Sequence, residues 1–216
     1  MTQTAHSLGQ TIGRVDPDCS PDLRFVEWSE VEELVRSIVE PGMRFLDVGG
    51  RHGEFAHLAE GCAYVSLEID EDARAEGTII GDITSCPQID SASFDVVFSN
   101  NVFEHVREPW RAADECVRIC KPGGLLVHAA PFAWRYHPVP VDMFRYTHEG
   151  LRYLFERCEV GKVGRCETVF AGYDIERRRR DHRGGKIGTL DVPPIDELGG
   201  WREHWRAVYV GRVRGA

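Results

Sequence analysis

The feature that most constrains this chain is an apolar run that ends in a glycine-rich turn, RFLDVGGRHGEF from Arg44 to Phe55. The apolar bias of Arg44 to Val48 is typical of a strand buried on both faces of a sheet. Gly49, Gly50 and Gly53 then allow backbone angles that a Cβ would obstruct, and they leave room for a ligand to lie against the main chain. Such turns also close ordinary strand-to-helix corners, so this one alone is a weak indication of a ligand loop.

Three more short apolar segments follow, and a polar side chain stands at or just after the end of each. They are Tyr64 to Ile69 with Glu68, Thr78 to Ile83 with Asp82, and Phe94 to Ser99 followed by Asn100 and Asn101. Glu68 lies roughly 20 residues after the first glycine, where doubly wound folds place a ribose-binding acid. Because the carboxyl ends of parallel strands share one crevice, we expect these polar groups to converge on one ligand.

Helical segments alternate with these strands. Ser29 and Glu32 have the spacing of a capping box and open an amphipathic helix that ends at Pro41. Further helices are predicted over Glu54 to Glu60 and over Pro109 to Cys120. The remaining predicted strands are Gly124 to Ala130, about Glu167 to Phe170, and Ala207 to Val213. This order predicts an α/β fold: a single doubly wound, Rossmann-like sheet of seven mostly parallel strands, with helices on both faces and the last strand antiparallel.

Length and charge limit the domains and partners. At 216 residues with 42% hydrophobic residues, the chain can bury one substantial core, so we predict a loose arm over residues 1–20 and a single domain over residues 21–216. The net charge of −9 argues against nucleic-acid partners, because phosphate binding relies on clustered cations. We see no secretory leader and no apolar run approaching roughly 18 residues, so we expect a cytoplasmic protein without membrane contacts.

The seven cysteines are scattered and form no CxxC pair. Cys116 and Cys120 lie four residues apart on a predicted helix and share one face, as half of a metal site would. Two further ligands at suitable spacing are missing. We therefore interpret these cysteines as a reduced pair in the core, and we predict no metal ligands.

Five motifs, in order, resemble those of the class I S-adenosylmethionine-dependent methyltransferases, particularly the small-molecule branch called type 11. They are LDVGGRHG (Leu46 to Gly53), LEID (Leu67 to Asp70), GDI (Gly81 to Ile83), FDVVFSNNVFEHV (Phe94 to Val106) and RICKPGGLLV (Arg118 to Val127). The likeness covers about residues 43–130 and implies S-adenosylmethionine as the cofactor.

The resemblance also implies roles for individual residues. Asp47 and Gly49 would flank the methionine portion of the cofactor, and Glu68 would hold the ribose hydroxyls. Asp82 would meet the adenine amino group, and the backbone near Asn100 would line the sulfonium side. The same loops contain the other expected cofactor contacts: Gly50, Gly53, Ile69 and Ile83.

One position departs from the family. Arg51 stands where the family usually has glycine, so the loop reads GGRHG. The guanidinium could reshape the pocket, turn outward, or reach the methionine carboxylate, a contact that suits its geometry.

The segment over residues 131–150 follows the predicted fifth strand and is the expected substrate loop, since it would lie over the sulfonium end of the crevice. Prolines stiffen it, and aromatic rings offer flat apolar walls. Its expected substrate contacts are Trp134, Tyr136 and Arg145. The pattern from His137 to Thr147 resembles bacterial methyltransferases associated with glycan and natural-product tailoring. Alternatively, His137 and Asp142 pin the loop to Arg145 as a salt-bridged lid.

Methyl transfer is an in-line displacement, so much of its acceleration comes from aligning the nucleophile, the methyl carbon and the leaving sulfur. A hydroxyl acceptor would also be helped by a general base with a pKa of roughly 6–7, which histidine provides most easily. His137 is the first candidate for this base and His105 the second, with Asp142 orienting the base or binding a hydroxyl pair. His105 alternatively caps the turn that follows the fourth strand.

The C-terminal part contains a basic run, ERRRRDHRGGK from Glu176 to Lys186, in a loop predicted over residues 174–200. This run, which includes Arg177 to Arg180, is either a solvated hairpin loop or a clamp for the phosphates of a nucleotide-linked substrate. Trp201 and Trp205 are predicted to pack the last strand against the core or to form a contact in a homodimer.

These patterns together predict a methyltransferase of the EC 2.1.1 class that methylates a hydroxyl of a small molecule, either a sugar or a natural-product intermediate. A nucleotide-linked or phosphorylated acceptor stays open. Two alternatives also remain: a nitrogen or carboxylate acceptor, and a non-catalytic cofactor-binding subunit. An oxidoreductase that uses a dinucleotide is disfavoured, because the glycine loop lacks the G-x-G-x-x-G order.

Overall fold

The computed structural model describes residues 14–15, 24–50, 53–73, 76–134, 136–137, 140–157, 164–177, 185–187, 190–192 and 203–215. The strands are β1 (Arg14–Val15), β2 (Arg24–Val26), β3 (Arg44–Val48), β4 (Ala63–Glu68), β5 (Thr78–Ile80), β6 (Phe94–Asn100), β7 (Cys120–Ala133), β8 (Cys166–Arg177), β9 (Gly185–Ile187), β10 (Leu190–Val192) and β11 (Glu203–Val213). The helices are α1 (Trp28–Ile38), α2 (Pro109–Ile119) and α3 (His148–Glu156). Three short 3-10 turns cover Ala56–Ala59, Glu71–Ala73 and Phe103–His105.

One sheet organises the molecule, with strand order β1-β2-β8-β11-β7-β6-β3-β4-β5. The pairs β3 with β4, β3 with β6, β4 with β5 and β6 with β7 are all parallel. Strand β11 runs antiparallel between β7 and β8. The predicted seven-stranded, mostly parallel sheet with an antiparallel last strand is therefore confirmed, while β9 and β10 pair separately.

Two edge strands extend this sheet beyond the prediction. Strand β2 pairs parallel with β8, and β1 pairs antiparallel with β2. Arg14–Val15 form β1 within the segment predicted as a loose arm, so the described strands begin before α1. The physical reason is that an edge strand presents unpaired backbone groups, which a further strand satisfies even where the sequence is short and not apolar.

The register of the parallel strands brings their carboxyl ends to one edge. Val48 is paired with Leu67 and with Ser99, and Glu68 is paired with Ile80. On the next strand, Asn100 is paired with Ala129. The loops that leave β3, β4, β5, β6 and β7 consequently start side by side, as they must to form one crevice.

Helices cover both faces of the sheet, as predicted. Helices α2 and α3 pack on one face, where Ala112, Cys116, Leu151 and Phe155 join the buried core. Helix α1 and the turn Ala56–Ala59 pack on the other face. Cys116 and Cys120 are buried and not disulfide-bonded, which confirms the reduced core pair, and burial raises the pKa of each thiol. None of the helices described has both the length and the apolar character needed to cross a membrane.

Helix starts and lengths required two corrections. Helix α1 is capped by Glu27, whose backbone N–H donates to the Glu30 carboxylate at 2.8 Å, so the capping box predicted at Ser29 and Glu32 was wrong by two residues. The helix predicted over residues 54–60 was also wrong, because only the single turn Ala56–Ala59 forms. Positive φ angles at Gly53 and Gly61 interrupt the backbone on both sides, which leaves too few residues to nucleate an α-helix.

The ends of several strands also differ from the prediction. Strand β4 ends at Glu68, so Ile69 lies beyond it, and β5 ends at Ile80 rather than Ile83. The cause at β5 is a local turn, in which the carboxylate of Asp82 accepts hydrogen bonds from the backbone N–H and the hydroxyl of Thr84, both at 2.8 Å. Aspartate often ends strands this way. Strands β7, β8 and β11 are longer than predicted.

Candidate active site

A cavity of about 490 Å³ opens at the carboxyl edge of the sheet. Its walls come from the ends of β3 and β4 and from the loops that follow β5, β6 and β7. Four predicted cofactor contacts line it: Gly49, Ile69, Asp82 and Ile83. Val102, His105 and Val141 are among the other lining residues. A volume of roughly 300–1,000 Å³ and a mainly apolar wall with few polar groups are typical of small-molecule sites.

The glycine loop is shaped by close packing. Gly49 has a φ of 74°, and a Cβ there would lie 2.6 Å from Cγ2 of Val102. A Cβ on Gly50 would lie 2.4 Å from Oδ2 of Asp47. Gly53 has a φ of 63°. Glycine is therefore required at the first two positions by contact with neighbouring side chains and is favoured at the third by its backbone angle.

Asp47 is buried under this loop, and Tyr64 donates a hydrogen bond from its hydroxyl to the carboxylate at 2.7 Å. Burial raises the pKa of Asp47 to about 7, opposed by the Tyr64 hydrogen bond and reinforced by the nearby charges of Glu68 and Glu54. An acid whose pKa lies near neutrality is easily ionised by an arriving cation. This environment suits a positively charged ligand group.

Glu68 and Asp82 occupy different surroundings. Glu68 is buried at the end of β4 and accepts a hydrogen bond from the Ser66 hydroxyl at 3.3 Å. Asp82 is exposed and lines the cavity. Glu68 does not line the cavity, so its contact with a ribose stays a prediction.

A second cavity of about 360 Å³ holds two other predicted residues, Asn100 and Trp134. Asn101 also lines it, with a positive φ of 54° and a buried Oδ1 that accepts no hydrogen bond within the described ranges. Trp28 and Arg206 complete part of the wall, and the Arg206 guanidinium lies 4.5 Å from the Trp28 ring centroid. Sequence reasoning missed Trp28 and Arg206 because they come from opposite ends of the chain.

The loop after β7 is held by a salt bridge and by hydrogen bonds. The Arg145 guanidinium donates to the Asp142 carboxylate, with one contact of 2.7 Å, and to the backbone oxygen of Phe144 at 2.8 Å. Burial works against ionisation of Asp142, but hydrogen bonds from Arg145 and from the backbone N–H of His137 hold the pKa of this carboxyl below its ordinary value. These contacts fit the salt-bridged lid. Substrate contacts by Arg145 and by the exposed Tyr136 stay predictions.

Glu104, His105 and His137 lie together beside the first cavity. The Nε2 atoms of both histidines are 3.5 Å from Oε1 of Glu104, and the two rings are 5.1 Å apart. Glu104 is completely buried, whereas the side chains of His105 and His137 are 17% and 21% exposed. Sequence reasoning selected both histidines but not Glu104, and it predicted no metal ligands. The three side chains have the composition of a metal-binding group.

This cluster forms because neighbouring strands end together. Glu104 and His105 stand on the turn after β6, and His137 stands on the loop after β7. Hydrogen bonds join the two segments: the backbone N–H of Met143 donates to the backbone oxygen of Glu104 at 2.9 Å, and the Tyr146 hydroxyl donates to the backbone oxygen of Phe103 at 3.0 Å. The FEHV motif pointed to His105, and the pattern from His137 to Thr147 pointed to His137, but neither pattern indicated that Glu104 joins them.

Several predicted features fall outside the described residues. Arg51, Arg178 to Arg180 and Trp201 are among them, so the position of Arg51 and the phosphate clamp stay open. Trp205 is described and packs edge-on against Phe25, with ring centroids 5.4 Å apart. Its contact with the core agrees with the packing alternative.

Comparison with known proteins gives one consistent picture. A family described as a methyltransferase domain matches residues 46–128. An uncharacterized methyltransferase of Mycolicibacterium vanbaalenii is 39% identical over 100 residues, which cover 41% of this chain and 39% of the relative. A SAM-dependent methyltransferase of Methanosarcina mazei has a similar fold, with a TM-score of 0.57, 14% identity, and coverage of 85% of this chain and 98% of that chain. The matched part spans about two fifths of the length of the curated relatives.

Proposed function

We propose that this protein transfers a methyl group from S-adenosylmethionine to a hydroxyl of a small molecule, since residues 46–128 match a family described as a methyltransferase domain. The observation that carries the proposal is the cavity at the carboxyl edge of the sheet, where Gly49 and Asp82 share a wall with His105. We favour a sugar or a natural-product intermediate as the acceptor.

The residues of the cavity fit an adenosyl cofactor. Ile69, Ile83 and Val102 offer an apolar surface to a purine, and Asp82 offers a carboxylate to its amino group. Gly49 has no side chain, so the backbone is uncovered at the point where the loop turns. This combination of flat apolar walls and one or two polar anchors is how small-molecule sites combine affinity with orientation.

When bound, S-adenosylmethionine supplies an electrophilic methyl group on a positively charged sulfur. The buried Asp47 carboxylate lies under the loop that would hold the methionine portion, and it stabilises positive charge there once ionised. Glu68, at the next strand end, adds negative charge close to Asp47. These carboxylates thus favour a cationic ligand over a neutral one.

The acceptor end is formed by Glu104, His105 and His137. His105 lines the cavity, and this supports a role for its ring beside the acceptor hydroxyl. Beyond aligning the reacting atoms, a side chain can accelerate the reaction by removing the hydroxyl proton. Tyr136, on the loop after β7, then offers apolar surface for the acceptor's ring, whereas Trp134 lines the second cavity.

The proposal is tested by incubating the protein with deuterated S-adenosylmethionine and fractionated extract of the source organism, followed by mass detection of labelled products. A product labelled on oxygen supports the proposal, and a product labelled on nitrogen or on a carboxylate replaces the hydroxyl acceptor with the corresponding alternative. Cofactor binding without any labelled product would favour a non-catalytic subunit.

A further inference from the structure

We propose that Glu104, His105 and His137 bind a divalent first-row transition metal ion, and that this ion holds and acidifies the acceptor hydroxyl. The metal-binding part stands on the geometry of these three residues alone, whereas the acceptor part rests on the proposed function. The three ligand atoms lie within 4.8 Å of one another, and the described structure holds no ion.

Both imidazole rings are oriented with Nδ1 towards an oxygen acceptor and Nε2 towards Glu104. Nδ1 of His105 is hydrogen-bonded to the backbone oxygen of Val141, which is only an acceptor, so this nitrogen carries the proton. Nδ1 of His137 faces the Asp142 carboxylate at 3.3 Å, which is also an acceptor. An imidazole with its proton on Nδ1 has its lone pair on Nε2, and Nε2 is the nitrogen that faces Glu104 in both rings.

Glu104 adds a third acceptor at this point. Its side chain is completely buried, and neither carboxylate oxygen accepts a hydrogen bond from the residues that the structure describes. A buried carboxylate is strongly unfavourable without a compensating cation or donors. A divalent cation placed among these three side chains would supply positive charge to the buried carboxylate and bind all three ligand atoms at once.

The distances from the two Nε2 atoms to Glu104 are close to those expected around such an ion. Ligand atoms bound at 2.0–2.1 Å to a tetrahedral zinc ion lie about 3.3 Å apart, and each Nε2 lies 3.5 Å from Oε1 of Glu104. Two imidazole nitrogens with one carboxylate oxygen select a first-row transition ion over magnesium or calcium, which prefer oxygen ligands. Three protein ligands also leave coordination positions open, as catalytic sites do.

The surroundings support a ligand set that is held in place. The Asp142 carboxylate faces the far nitrogen of His137, and Arg145 in turn fixes Asp142 through its guanidinium. Carboxylates of this kind orient metal-binding histidines and make them better ligands. Asp142 and Arg145 thereby act as positioning residues rather than as substrate contacts.

The open positions explain how the ion would serve methyl transfer. His105 lines the cavity, so a hydroxyl oxygen can approach the ion from the cofactor side. The ion lowers the pKa of that hydroxyl, whose proton passes to water. The oxygen then forms a bond to the methyl carbon as the carbon–sulfur bond of the sulfonium breaks, and the sulfur leaves as a neutral thioether. The histidines act here as ligands instead of general bases.

Metal binding is measured directly on the full chain after treatment with chelator. We expect one ion per chain in calorimetric titrations with Zn²⁺, and a visible absorption band of low-symmetry, four- or five-coordinate Co²⁺. Glu104→Gln and the more exposed His137→Gln should each weaken binding at least tenfold. Glu149→Gln makes the same chemical change on the exposed side of α3 and should bind like the parent. Absence of binding, or equal affinity in Glu104→Gln, would overturn the site, which would then be an imidazolium–carboxylate cluster.

Parallel titrations with S-adenosylhomocysteine distinguish failure of the metal site from failure of the proposed methyl transfer. Cofactor binding without metal binding would overturn the metal site alone, and metal binding without cofactor binding would overturn the proposed methyl transfer while the metal site stands. With an acceptor identified, we expect removal of the ion to lower turnover at least tenfold and Zn²⁺ or Co²⁺ to restore it. Unchanged turnover in metal-free protein would overturn the acceptor role.

Discussion

The hydroxyl of Tyr64 donates a 2.7 Å hydrogen bond to the buried carboxylate of Asp47, and both groups lie within contact distance of the place where a side chain on Gly50 would stand. The glycine loop therefore rests on an acid that is costly to ionise. Its charge state links the fold, the binding of a cationic cofactor and the solution pH.

Cofactor affinity should depend on pH through Asp47. Burial raises the pKa of this carboxyl to about 7, so the ionised form that attracts a cation is in the minority at pH 6 and dominant at pH 8. We expect the Kd for S-adenosylmethionine to fall about tenfold between these values. Calorimetry at several pH values checks this, and Asp47→Asn should bind more weakly with a flatter profile. The same steep profile in Asp47→Asn would assign the effect to another group.

Folding stability should also depend on pH through Asp47, but in the opposite direction: stability should fall as the pH rises, whereas cofactor affinity should increase. The pKa of Asp47 is raised from its ordinary value of about 4 to about 7, so its protonated form stabilises the fold at low pH, and this contribution is lost as the pH rises through 7. Asp47→Asn should have the parent's stability near pH 4 and exceed it at pH 8 by on the order of 2–4 kcal/mol. Urea denaturation at both pH values measures the difference. A variant that is less stable than the parent at pH 8 would contradict it.

His128 should have the opposite effect on the pH dependence of folding stability, because it stabilises the fold at high pH rather than at low pH. Burial lowers the pKa of His128 to about 3, with its ring stacked on Phe155 and its Nδ1 hydrogen-bonded to Ser99 at 2.7 Å. Its contribution is fully present above pH 6.5 and is lost as the pH falls, by roughly 2 kcal/mol at pH 5. In the Asp47→Asn background, stability should therefore decrease steadily on acidification. Ring resonances of His128 should not titrate between pH 5 and 8, and a midpoint in that range would refute the assignment.

Substitution of Gly50 should disturb the loop by contact rather than by backbone strain. An alanine Cβ would lie 2.4 Å from the Asp47 carboxylate and 2.9 Å from the Tyr64 hydroxyl, so one of them must move. We expect Gly50→Ala to cost about 1–3 kcal/mol of unfolding free energy and to weaken cofactor binding. Gly215→Ala is the control, because no atom of the residues that the structure describes lies within 4 Å of a Cβ there. Equal stability of the two variants would show that the loop is looser than described.

Much of the central sheet was predictable because its strands are buried on both faces. Continuous apolar runs mark β3 and β6, and a proline at the first helical position marks α2. Helix α1 was found from its apolar spacing, although its start was misplaced. These features depend on residues close together in the chain.

The parts that were missed depend on distant contacts. Strands β1 and β2 are short and owe their place to the edge of β8, which no local pattern reveals. The meeting of Glu104 with His137 requires the loop after β7 to fold back onto the turn after β6, through backbone bonds such as that from Met143 to Glu104. Sequence reasoning could propose each histidine separately, but it could not see the buried carboxylate between them.

We expect the cavity behind the glycine loop to hold S-adenosylmethionine, and a calorimetric titration of the full chain with S-adenosylhomocysteine measures this binding. We predict one binding site per chain, and loss of binding in a folded Val102→Trp variant, whose larger ring would fill the cavity against Gly49. Absence of binding to the parent protein, or unchanged affinity in Val102→Trp, would contradict the account.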